Sequence, residues 1–393
     1  MKKVVDLNKY KNINKKKIGV IIIIVILIIM LVTCVILYNS NKNFRNFMDK
    51  YIFRKNVTEE HIPMIEIDYD SNINIIPYNK YICILAENTL FQYNASGKKE
   101  KEVKIEINNP IYDSKNKYLV IGEKDNNKLY LISEDHIIWE KNIDGNLSRV
   151  TVNKNGYVCA IVTGTTYKSV IITYDEKGNE LFKTYLSSTT AVDACISPNN
   201  EELAYAEVNY SGTAIQSNIK IISIKEAKEK NTEPKFIHNA NQNQLILKIK
   251  YENKDNLICM YDDGIYRINN GQNSQIYIFN EKNNKITFGD IQLDEHIFRT
   301  YEKSTGIFSA NTVVEIKNSI NDKETVYTIE EVVKSVNCSN NIMAFNLGNE
   351  VDFVNTNGWL VKRYYSSQVI KNIVLGDGVA GIVYRDKIEL VNL

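Results

Sequence analysis

The residue types that most often carry chemistry are scattered in this chain. His61, His136, His238 and His296 stand alone, none with a second histidine or a cysteine at metal-ligand spacing. A nucleophile elbow, a phosphate-binding loop and a dinucleotide fingerprint are all missing from the sequence. Cys83, Cys159, Cys195, Cys259 and Cys338 fall in segments expected to be strands. Cys83, Cys159 and Cys259 hold the same place in three copies of a recurring motif, which would set them too far apart for a disulfide, whose Cα atoms lie within ~7 Å. They read as small buried hydrophobes. These residue types point to no catalytic group, no metal site and no cofactor. Residues from distant parts of the chain can still converge, so an enzyme remains an alternative.

Recognition chemistry is better represented. Three short stretches combine glycine with hydroxyls and tyrosine: Thr163-Gly164-Thr165-Thr166-Tyr167, Tyr210-Ser211-Gly212-Thr213 and Ser304-Thr305-Gly306. Hydroxyls both donate and accept, tyrosine adds amphipathic area, and glycine lets a partner approach the backbone. The same residues are what any solvated connection uses. As candidate ligand-face residues they are Gly164, Thr165, Tyr167, Tyr210, Ser211, Gly212, Ser304, Thr305 and Gly306.

A repeat must position these stretches. An apolar motif recurs as KYICIL from Lys80, KYLVIG from Lys117, GYVCAI from Gly156, ELAYAE from Glu202, NLICMY from Asn256, HIFRTY from His296, NIMAFN from Asn341 and GVAGIV from Gly378. Its spacing averages about 43 residues, the period of a propeller blade with four strands. Each copy is expected to be the second strand of a blade, and the three stretches above then join second to third strands on one face. Segments such as ITYDEKGNELFKTYL from Ile172 add a third strand, a D/N-x-x-G turn and a fourth strand, with Gly97, Gly178 and Gly358 where positive φ is needed. The Asp- and Asn-rich turns lack the alternating oxygens of a calcium loop. The last segment, from Val369, has only three strands, and PMIEID from Pro63 is a spare one, so the spare strand is expected to complete the last blade and remove the open edge. The expected fold is all-β, a propeller of eight four-stranded blades over 63–393. Seven is the alternative, if the irregular stretch Lys225 to Gln244 hides a miscount.

Ahead of the repeat, Ile18 to Leu37 carries no charge over twenty residues, enough for a helix to cross a hydrocarbon core of about 30 Å. Residues 1–17 hold seven lysines against Asp6, net +6, so a basic cytoplasmic tail is expected before a transmembrane helix at 18–38, with the propeller outside the cell membrane. The bilayer is thus the first expected partner. Phe44, Phe47, Met48, Tyr51 and Ile52 space one apolar face of a juxtamembrane helix within a linker at 39–62. The whole chain has net charge +1, so residues 18–393 sum to −5 and no nucleic-acid partner is expected.

Asp175 to Phe182 resembles the D-x-x-G-x-x-(W/F) hairpin of quinoprotein-like propellers, and Cys195 to Ala206 is similar to the strand pair of TolB-like and WD-type propellers. The arrangement as a whole, from lysine-rich tail to degenerate repeats, resembles a family of membrane-anchored propellers from clostridia and related Firmicutes built on a domain of unknown function. That resemblance implies the fold and lends no catalytic residue. The expected function is a non-catalytic extracytoplasmic binding or scaffolding domain, with an envelope protein or glycan as partner. The alternatives are an envelope enzyme with its site in the propeller funnel and a ligand sensor acting through a membrane partner.

Overall fold

A computed structural model describes residues 15–48, 52, 62–67, 73–281, 284–306 and 309–393. It divides into two compact units, Met1–Val57 and Thr58–Leu393.

In the first unit a helix runs from Lys15 to Ser40, two residues past the expected span. Its stretch Gly19–Ser40 has a mean hydropathy of 3.8, and its apolar window is not buried. Such a helix is long and apolar enough to cross a membrane. Asn41 ends it and caps a second helix, Lys42–Phe47, by accepting the Phe44 N–H at 3.0 Å. Arg45 reaches back from that helix. Its guanidinium donates to the Tyr38 and Asn39 carbonyls at 3.0 and 3.1 Å, satisfying acceptors that a helix end leaves open. Of the expected amphipathic face, Tyr51 lies outside the described residues, as do 1–14 of the basic tail.

The second unit is a ring of eight antiparallel sheets. Blade 1 runs through strands Asn74–Tyr78, Tyr81–Ala86, Thr89–Tyr93 and Lys99–Lys104. Blades 2 to 7 repeat this order over 110–142, 146–186, 190–239, 246–278, 284–329 and 335–365, and the two-residue strand Asn280–Glu281 precedes blade 6. Blade 8 combines 372–392 with the strand Met64–Glu66, which pairs Met64 with Glu389 and Glu66 with Lys387. The spare strand therefore closes the ring as its sequence implied. The irregular stretch resolves into a short helix, Ile224–Lys228, capped by Ser223, followed by Phe236–Asn239 as the fourth strand of blade 4. Eight blades stand, and the seven-blade alternative falls away.

All eight motif copies lie on second strands. These strands are buried on both sides because each blade packs on two neighbours, and one apolar cluster fills each of the eight interfaces. The turns joining strands 1 to 2 and 3 to 4 share one face of the ring, here the turn face. The connections from strand 2 to 3 and from blade to blade share the other, the loop face. Since Pro63 leads into a fourth strand, the chain joins the ring on the turn face.

The D/N-x-x-G glycines have the expected positive φ, +76° at Gly97, +81° at Gly178 and +74° at Gly358. They also have a second role. A Cβ on Gly178 would lie 2.7 Å from Trp139 Cγ, on Gly358 2.6 Å from Thr325 Cγ2, and on Gly97 3.2 Å from the Pro63 Cβ. Each contact falls on or beside the fourth strand of the preceding blade, so these glycines let one blade's turn rest on its neighbour's outer strand.

All six cysteines are free. Cys83 and Cys159 face the following blade, whereas Cys259 faces the preceding one, packed with Ala204 and Ile219. The three do not share a register, and the sequence does not show it because a strand apolar on both sides has no alternation to reveal a slip.

Candidate functional site

The glycine and hydroxyl stretches occupy the loop face as expected, and two of them meet. In blade 3 the loop after strand Val158–Thr163 turns at Gly164, φ +75°, and Thr165 Oγ1 accepts the Tyr167 N–H at 3.1 Å. This orients Tyr167, whose ring centroid lies 4.7 Å from that of Tyr185 at the end of the same blade's fourth strand. Lys168 then crosses to blade 4. Its ammonium donates to Ser211 Oγ at 2.8 Å and to the Ser188 carbonyl at 3.1 Å, and sits 4.7 Å from the centre of the Tyr210 ring. Thr190 donates to the Tyr210 hydroxyl at 3.3 Å. Gly212 is open on its Cβ side, its nearest atom there the Ala214 carbonyl oxygen at 3.7 Å.

The result is one aromatic and hydroxyl surface over blades 3 and 4. Tyr210 is 59% exposed and Tyr185 52%. Ser304, Thr305 and Gly306 belong to blade 6 and close on themselves, Ser304 Oγ donating to the Gly306 carbonyl and Thr305 Oγ1 to Ser309 Oγ, both at 3.1 Å. No described contact joins them to the other two loops. Sequence reasoning missed Lys168, Tyr185, Ser188 and Thr190. A signal was present, since Tyr185 leads into Ser187-Ser188-Thr189-Thr190, the connection to the next blade.

A second constellation lines the central channel. The innermost strands of blades 3 to 6 each carry a β-bulge, at Ser148, Val192, Leu247 and Thr287, where the ladder register shifts. A bulge re-aims the residue that follows it. In blades 3, 4 and 5 that residue is Arg149, Asp193 or Lys248. Arg149 Nε donates to Asp193 Oδ1 at 2.5 Å, and the Ile249 N–H of blade 5 donates to Asp193 Oδ2 at 2.9 Å, so one buried carboxylate ties three blades together. Lys248 pairs with Asp290 of blade 6 at 3.0 Å. Asp113 of blade 2 accepts the Val152 N–H at 2.9 Å. Burial pushes its carboxyl above the ordinary range, against the smaller pulls of the Val152 N–H, Lys115 and Arg149.

Lys250 lies deeper, donating to Glu252 at 2.9 Å and to the Leu293 carbonyl at 2.6 Å, with burial lowering its pKa. Among the described residues no three of His, Cys, Asp and Glu converge as metal ligands. A cleft of about 410 Å³ opens on the loop face beside blade 7, between Glu331 and Lys334 on one side and Asn349 and Ser366 on the other.

Solved structures match the ring over its length. BamB from Moraxella catarrhalis superposes with a TM-score of 0.50 at 11% identity, covering 84% of this chain and 99% of that one. Sqt1 from Chaetomium thermophilum does so with a TM-score of 0.51 at 9% identity, covering 85% and 98%. At such identities the likeness is one of fold alone. No protein of curated function matches the chain. A family model does, over residues 53–393, and the chain belongs to that family, DUF5711, a family of unknown function.

Proposed function

We propose that the protein is a non-catalytic extracytoplasmic binding or scaffolding domain, held at the cell membrane by its N-terminal helix, with the lysine-rich tail inside and the propeller outside. The lysines beside one end of the apolar helix support the orientation. The observation that carries the binding role is the joined surface of blades 3 and 4. Its loops, residues 163–168, 187–190 and 210–213, contain a single charged residue, Lys168, in a chain that is 24% charged. Tyrosine, serine and glycine in rigidly supported loops give contact area and adaptable hydrogen bonding with little entropy to lose, as in antibody paratopes. An envelope protein is the partner this surface suits best, and a glycan is the competing outcome.

Cross-linked capture from intact cells would identify the partner. Replacing both Tyr167 and Tyr210 with Ala is then expected to weaken binding by more than ~1 kcal/mol while leaving the melting temperature nearly unchanged. Unaltered affinity in that double variant rejects the surface. Protease treatment of intact cells tests the orientation, and full protection of residues 64–393 rejects it.

A further inference from the structure

Lys168 carries the only charge in the joined loops of blades 3 and 4, and among the described residues no carboxylate pairs with it. Its ammonium meets two uncharged oxygens, Ser211 Oγ and the Ser188 carbonyl, and the face of the Tyr210 ring. An ammonium has three N–H donors, so one is left for another molecule. The carboxylate that these loops do engage is Glu207, which accepts from Thr189 Oγ1 at 2.8 Å, but it is buried and pairs with Lys220 at 2.7 Å. A lone lysine on open surface swings its ammonium out into water when its stem is covered. Lys168 is half-buried and bonded at once to the connection at Ser188 and the loop at Ser211, which holds its charge where blade 3 meets blade 4. Beside it stand the rings of Tyr167, Tyr185 and Tyr210, all exposed.

We propose that the partner of this surface sets the carboxylate of an aspartate or glutamate, in a protein segment, against Lys168, with the tyrosines covering the residues beside that pair. The inference rests on the binding role argued above and adds the chemistry of what is bound. A partner that covers the tyrosines also takes water away from the ammonium. The ring face and the two uncharged oxygens offset part of that loss, an anion on the partner offsets the rest, and a neutral or basic partner leaves a charge stranded in the interface. Lys168 therefore selects the partner as well as holding it. An anionic glycan would offer the same charge. The Tyr167 and Tyr185 rings favour the protein segment, because they are tilted by 42° to each other and make a notch for a side chain, not a flat shelf for a sugar ring.

A displayed library of random linear peptides, panned on the full-length protein in detergent micelles, is the probe. Peptides retained by the native chain and lost from the Tyr167→Ala, Tyr210→Ala double variant are expected to be enriched in Asp and Glu over the starting library. Neutralising the acid in such a peptide, or Lys168→Gln in the protein, should each weaken binding about tenfold or more, and the two changes together no further than either alone. Lys168→Arg should keep the preference for acids. Tyrosine-dependent peptides that lack an acid, or whose affinity Lys168→Gln leaves unchanged, overturn the acidic partner and leave the surface standing. Retention of uronate-bearing oligosaccharides in place of peptides overturns the protein segment in favour of a glycan. If neither depends on the tyrosines, the surface falls and this proposal with it.

Discussion

Lys115, at the end of the innermost strand of blade 2, reaches Asp294, in the first turn of blade 6, with Nζ 3.3 Å from Oδ1. In a ring of eight these blades face each other, so the pair spans the central channel near the turn face. Both side chains are partly exposed, and such a pair contributes no more than ~1 kcal/mol. Asp193 is different, because its carboxylate is buried and holds Arg149 and the Ile249 N–H together. Lys115→Ala is expected to lower stability by less than ~1 kcal/mol in urea unfolding, and Asp193→Ala by about 2–3 kcal/mol, the cost of stranding a buried donor. Equal losses would show that the channel network does not organise the inner strands.

Burial of Asp113 gives the stability a pH dependence. Its folded-state pKa is raised by burial, so between the ordinary carboxylate value and the raised one the folded protein binds more protons than the unfolded chain. Stability from this group is present below the ordinary value and is lost as pH rises through the folded one. Asp113→Asn removes that loss. Unfolding at pH 4 and pH 7.5 should shift the difference between variant and native chain in the variant's favour at the higher pH, and the reverse trend would mean that Lys115 and Arg149 hold the carboxylate charged.

Closure of the ring can be tested by truncation. A chain beginning at Thr58 keeps the strand Met64–Glu66 with its buried Ile65, and one beginning at Asp68 loses it together with the bond from the Leu390 N–H to the Pro63 carbonyl. The shorter chain is expected to be less stable by about 2–4 kcal/mol, the sum of one buried side chain and a few ladder bonds. Identical urea midpoints would place closure elsewhere.

Two glycines with similar backbones separate conformational strain from crowding. Gly178 and Gly378 have φ of +81° and +71°, yet an added Cβ meets Trp139 at the first and nothing within 4 Å at the second. Gly378→Ala should cost about 1–2 kcal/mol, from the left-handed conformation alone. Gly178→Ala should cost a further ~1–3 kcal/mol for pushing the turn away from the preceding blade. Equal losses would show that Trp139 yields freely.

The blade count was legible because second strands are apolar on both sides and recur at intervals of 37 to 54 residues, within reach of a four-stranded blade, and Pro63 to Asp68 stood out as a strand without a neighbour. Side-chain direction was not legible for the same reason: burial on both sides erases alternation, so Cys259 reads as sharing the register of Cys83 and Cys159, whereas it faces the preceding blade and they face the following one. The bulges at Ser148, Val192, Leu247 and Thr287 leave no local mark either. Arg149 and Asp193 are 44 residues apart in sequence, and only the ring brings them together. The tyrosine surface was half legible. Tyr167 and Tyr210 stood in marked loops, while Tyr185 and Lys168 lay in segments whose neighbours only the fold supplies.

The pairing of Met64 with Glu389 also sets an order of events during synthesis. The strand that completes blade 8 leaves the ribosome 325 residues before its partner Glu389 does. Until then Met64–Glu66 is a strand without a partner, the kind of surface that recruits other chains. A chain that stops before Lys387 keeps that strand unpaired, so the ring shuts only when synthesis has run through the third strand of blade 8.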